Sequence, residues 1–132
     1  MILLHPTITN KVALTLSEAT TLASPTYLFE LINNQTFEKF YFIADDTSSF
    51  PYRYNLFEIV VKTNPNPLDG EVDLTIGEEY KYNIYEQLST TNLDPANATG
   101  IVEIGILRYD LKYAAREQYE SDRPTRKVYK RA

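Results

Sequence analysis

The 132-residue chain has no cysteine, no tryptophan, a single histidine and only four glycines. Without cysteine there are no disulfides and no thiolate metal sites, so the fold needs no oxidising compartment. With His5 as the lone imidazole, and no thiol, the usual nucleophile and base pairings of covalent catalysis cannot be assembled. Gly70, Gly77, Gly100 and Gly105 are too scattered to cradle a phosphate and read as turn or strand-end residues. Long hydrophobic runs are missing as well: nothing approaches the roughly 18 apolar residues of a membrane span. The start, Met1-Ile2-Leu3-Leu4-His5-Pro6, lacks a basic opening and a small-residue cleavage site, which argues against a signal peptide.

What is present suits one soluble domain. Hydrophobic residues make up 43% and charged residues 23%, and eleven Tyr with six Phe favour strands over helices. Period-two alternation recurs in short runs between polar, Pro and Asn clusters, the spacing of an all-β sandwich or barrel. The runs are Lys11 to Leu16, Tyr27 to Ile32, Thr36 to Ala44, Asn55 to Lys62, Glu71 to Ile76, Glu79 to Leu88 and Ile101 to Tyr109. The spacing thus predicts a seven-stranded, immunoglobulin- or fibronectin-like antiparallel β-sandwich over residues 11–110, preceded by an N-terminal arm over 1–10. Val72, Leu74 and Ile76 are expected inward, as are Tyr80, Tyr82 and Ile84. Tyr80 is placed to act as a tyrosine corner, its hydroxyl returning to the backbone just upstream. From Asp110 the texture changes: Leu111 to Glu120 can form a short helix, Pro124 ends it, and residues 111–132 form a C-terminal basic arm.

Chemistry-bearing constellations are sparse. The adjacent carboxylates Asp45-Asp46 and Glu78-Glu79 could in principle serve glycoside hydrolysis, but neighbours on a strand face opposite ways and loop pairs are ordinarily solvated. Asp45 to Ser48 supply oxygen ligands without the spacing of a calcium loop. No catalytic residue, metal ligand or cofactor is assigned. Charge is more informative. Residues 1–110 hold six Lys or Arg against fifteen Asp or Glu, a net of −9, while 111–132 hold seven against three, a net of +4. Arg123, Arg126, Lys127, Tyr129, Lys130 and Arg131 are therefore the candidate partner-binding residues, suited to an acidic protein surface such as a neighbouring copy of the domain. The acidic body argues against nucleic acid as the partner.

The segments Tyr27-Leu28-Phe29-Glu30, Phe40 to Asp45, Tyr54 to Ile59, Leu68-Asp69-Gly70-Glu71-Val72 and Tyr85-Glu86-Gln87 through Thr91-Asn92-Leu93-Asp94-Pro95 carry a resemblance. In order and spacing they resemble small β-sandwich structural proteins of tailed phages infecting Bacteroidetes, including crAss-like phages, over about residues 26 to 109. The resemblance implies a non-enzymatic virion component made in the host cytoplasm. Such a component would be an auxiliary or decoration protein binding capsid, connector or tail subunits, copies of itself among them. The alternative is a receptor- or carbohydrate-binding module using tyrosines such as Tyr52, Tyr54 and Tyr113.

Overall fold

The computed structural model describes residues 1–6, 9–50 and 53–110. The helix or arm expected over 111–132 lies outside the described residues. Among the described residues eight strands form: β1 (Ile2–Leu4), β2 (Asn10–Leu14), β3 (Thr26–Asn33), β4 (Lys39–Ala44), β5 (Asn55–Val61), β6 (Glu71–Val72), β7 (Glu78–Gln87) and β8 (Gly100–Tyr109). They make a five-stranded sheet in the order β1-β8-β7-β3-β4 and a three-stranded sheet in the order β2-β5-β6. The fold is all-β and sandwich-like. Among the described residues no helix is long and apolar enough to cross a membrane.

The core lies between the inward faces of the two sheets. Phe29 stacks on Phe42 with centroids 4.8 Å apart, and Phe57 of the smaller sheet meets Phe29 edge-on at 5.1 Å. Leu31, Ile59, Tyr80, Tyr82, Ile84 and Leu107 complete a continuous buried cluster. Alternation explains the selection: Phe29 and Leu31 on β3 share one side with Tyr82 and Ile84 on β7, their direct cross-strand partners. Tyr80 packs edge-on against Phe40 at 5.9 Å, and its hydroxyl accepts the Thr75 N–H at 3.0 Å, the return to upstream backbone expected of it.

Three expectations need correction. Residues Ile2–Leu4, assigned to an arm, form a strand that runs parallel to β8, pairing Ile2 with Leu107 and Leu4 with Tyr109. Ile2 and Leu4 are buried, and that burial on a distant neighbour orders a segment too short to announce itself by periodicity. The described residues thus hold eight strands, and the sheets are not wholly antiparallel, since β5 also pairs β6 in parallel. Finally, β6 stops at Val72. Leu74 stays buried, but Ile76 is exposed because the chain turns at Gly77, whose φ of +86° lies in the left-handed region that favours glycine.

Candidate interaction surface

The sites most suggestive of chemistry in the sequence are spent on structure. Asp46 Oδ1 accepts the N–H groups of Ser48 at 2.9 Å and Leu56 at 3.0 Å, while Oδ2 accepts from Asn55 Nδ2 at 2.7 Å. Asn55 is itself buried and accepts the Leu16 N–H at 2.7 Å, so this chain of bonds ties the loop after β2 to the loop before β5. Glu79 is half-buried; it accepts from Arg108 Nε at 2.9 Å and from Asn34 Nδ2 at 3.0 Å, which hold its carboxyl below the usual range. Among the described residues no group of three or more His, Cys, Asp or Glu is placed to hold a metal ion.

An open cavity of about 310 Å³ lies at one end of the sandwich, lined by Thr20, Leu22, Tyr27, Asp46 and Asn55. Its polar walls are largely engaged with one another. The Tyr27 hydroxyl is 2.9 Å from Thr20 Oγ1, and buried Glu86 accepts the N–H groups of Thr21 and Leu22, pinning the lip of the cavity to β7. Burial pushes the Tyr27 hydroxyl pKa up, with the charges of Asp46 and Glu86 adding to it. Of the tyrosines considered for glycan stacking, Tyr54 is half-buried, and Tyr52 and Tyr113 lie outside the described residues.

The outer face of the five-stranded sheet divides into two zones. On β3, β4 and β7, Glu30 is buried and accepts from Asn83 Nδ2 at 2.9 Å and the Tyr85 hydroxyl at 3.1 Å, with Tyr41 facing the same carboxylate. Burial first, and the Glu30 charge second, raise the pKa values of Tyr41 and Tyr85. The second zone is apolar. Leu3 on β1 and Ile101, Ile104 and Ile106 on β8 all point outward and are exposed, Ile104 to 59%.

That apolar row borders an incomplete edge. β8 is ten residues long, yet β1 pairs only with Leu107, Arg108 and Tyr109. The stretch from Gly100 to Ile106 has β7 on one side and, among the described residues, no strand on the other. A register shift opposite Ile84 and Tyr85 places a bulge at Val102, and Tyr82 covers Gly105 on the inner face while donating to Glu103 Oε2. Simple alternation along this strand puts Val102, Ile104 and Ile106 on one face. Ile104 and Ile106 do share a face, but it is the exposed one, and β8 instead buries Leu107 and Tyr109. Arg108, on the same parity as Ile104 and Ile106, is the signal that this face looks outward.

The candidate partner-binding residues Arg123, Arg126, Lys127, Tyr129, Lys130 and Arg131 lie outside the described residues. No family model, curated protein or solved structure matches this chain.

Proposed function

We propose that this chain is a non-enzymatic structural subunit of a tailed-phage virion, an auxiliary or decoration component that binds capsid or connector and tail subunits. The observation that carries this reading is the exposed apolar row Leu3, Ile101, Ile104 and Ile106 beside a strand edge that no other strand pairs among the described residues, a surface suited to macromolecular contact. The division of charge supports it: a body of net −9 with a basic terminal segment of net +4 gives each subunit complementary contacts for acidic neighbours. Resemblance over residues 26 to 109 supplies the virion setting, with synthesis in the host cytoplasm.

The finer fold class belongs to the same proposal. An immunoglobulin-like assignment is supported by β7 lying centrally in the larger sheet and by the bond from Thr75 N–H to Tyr80 near its start, the place of a tyrosine corner at strand F.

Purified particles test the function. The chain should co-purify with virions at a fixed ratio to the major capsid subunit. Replacing Arg123, Arg126, Lys127, Lys130 and Arg131 together by Ser should lower that ratio. A chain abundant in infected cells but absent from purified particles would sink the proposal.

A further inference from the structure

We propose that the open cavity at the end of the sandwich binds a compact alkylammonium group, its methylene stem on Leu22, Ala23 and Pro25 and its head on Asp46 Oδ2 and the Tyr27 oxygen. This stands apart from the virion reading, since a chain that never entered a particle would still carry the cavity.

Both sheets build the cavity. Tyr27 on β3 and Asn55 on β5 bring a residue of each sheet to its wall, and every residue that lines it lies among those described. The turn after β2, closed by Ala19 N–H to Leu16 O at 3.0 Å, supplies Ser17 and Thr20. Buried Glu86 holds the lip through the N–H groups of Thr21 and Leu22. A volume of about 310 Å³ is at the lower end of the roughly 300–1,000 Å³ of small-molecule sites, so the occupant is compact.

The ligand's chemistry follows from where the hydrogens of the wall go. Thr20 spends its one hydroxyl hydrogen on Leu16 O at 2.9 Å, so in its 2.9 Å bond with Tyr27 the tyrosine is the donor. Asn55 gives away both amide hydrogens, to Ser17 Oγ at 3.3 Å and Asp46 Oδ2 at 2.7 Å, and its oxygen accepts the N–H groups of Leu16 and Ser17. What Tyr27, Asn55 and Asp46 keep for a ligand is acceptor capacity alone, on the Tyr27 oxygen and on Asp46 Oδ2. A polyol brings acceptors that these side chains cannot answer, whereas an alkylammonium brings only donors.

Charge narrows the class. Asp46 and Glu86 both bear electrostatically on the Tyr27 hydroxyl, and among the described residues neither carboxylate pairs with Lys or Arg. Arg53 lines a separate pocket of about 60 Å³ with Glu18. A guanidinium fork matches both oxygens of a carboxylate, but Oδ1 is spent on the N–H groups of Ser48 and Leu56, and a point-charge ammonium suits the one oxygen left. A metal ion is served worse: calcium takes about six to eight oxygen ligands, and among the described residues no group of three or more His, Cys, Asp or Glu could hold one.

Titration of the isotope-labelled full chain with n-butylammonium chloride, followed by amide chemical shifts, is the test. Shifts should saturate on Thr20, Leu22, Ala23 and Tyr27 with a dissociation constant on the order of 1 mM, and binding should weaken with added salt. n-Butylguanidinium should bind more weakly, and neither tetramethylammonium, which lacks the donors, nor n-butanol, which lacks the charge, should saturate. Nα-acetyl-lysine-N-methylamide carries the same group on a peptide frame. Binding of both amines makes a lysine side chain the natural source and binding of n-butylammonium alone makes it a free amine; either upholds the site. Ala23→Phe fills the cavity from its exposed lip without touching the hydrogen bonds of the wall, so it should abolish binding while keeping the wild-type circular dichroism spectrum. Asp46→Asn, which removes the charge, should weaken binding roughly tenfold or more, and Ala23→Phe serves alone if that variant fails to fold. Absence of saturable shifts, shifts that map away from the cavity, a guanidinium that binds the tighter, an equal response to tetramethylammonium or n-butanol, or binding unmoved by Ala23→Phe would each overturn the proposal.

Discussion

Gly105 lies directly beneath the aromatic ring of Tyr82: a Cβ added there would stand 2.5 Å from both Cζ and the hydroxyl oxygen of the tyrosine. The glycine is what lets a buried tyrosine lie flat across β8 and reach Glu103 with its hydroxyl. Gly105→Ala should therefore destabilise the protein by about 1–3 kcal/mol through overpacking, measured by urea denaturation. In a Tyr82→Ala background the added methyl has room, and the same substitution should cost much less. An equal cost in both backgrounds would contradict the contact.

Tyr80→Phe removes the acceptor for the Thr75 N–H and leaves the ring packed on Phe40. The expected loss is about 1 kcal/mol, and a melting temperature lower by about 4 °C. An unchanged melting temperature would mean the hydroxyl does not fix this corner.

Asn55→Ala should cost more, about 2–3 kcal/mol, because it strands the buried Leu16 N–H and frees Asp46 Oδ2 at the same time. Equilibrium unfolding measures the loss. A value below that of Tyr80→Phe would show that water replaces the amide without penalty.

Alkaline pH offers a separate check. Burial raises the pKa values of Tyr27, Tyr80, Tyr82 and Tyr109 above their ordinary value of 10.0, and for Tyr82 the Glu103 carboxylate adds to the effect. Above that ordinary value the folded chain holds protons that the unfolded chain has released. Stability is accordingly complete below about pH 10 and falls as pH rises through the folded values. Denaturant melts between about pH 9 and 12 should show this decline, with tyrosinate absorbance appearing in at least two stages. Flat stability across that range, or one uniform titration near pH 10, would refute it.

Much of the sheet was legible in the residue pattern. The strand expected over Tyr27 to Ile32 forms as Thr26–Asn33, and that over Glu79 to Leu88 as Glu78–Gln87, because each carries enough alternating apolar residues to specify its face locally. β1 was not legible, since three residues before a proline show no period and depend on β8 across the fold. On β8 alternation identifies two faces, and only Tyr82 over Gly105, with Arg108 on the opposite side, shows which one is inside. At Asp46 both carboxylate oxygens are engaged by backbone N–H groups and Asn55, a use that no sequence spacing displays.

The parallel pairing of β1 with β8 also determines how the fold bears load. The two strands run in the same direction, so tension applied between residue 1 and residue 110 slides one along the other and strains all of their shared bonds together. Antiparallel neighbours pulled from adjacent ends would instead open one bond at a time. A strand of three residues thus acts as a shear clamp, closing the ends of the domain against mechanical force.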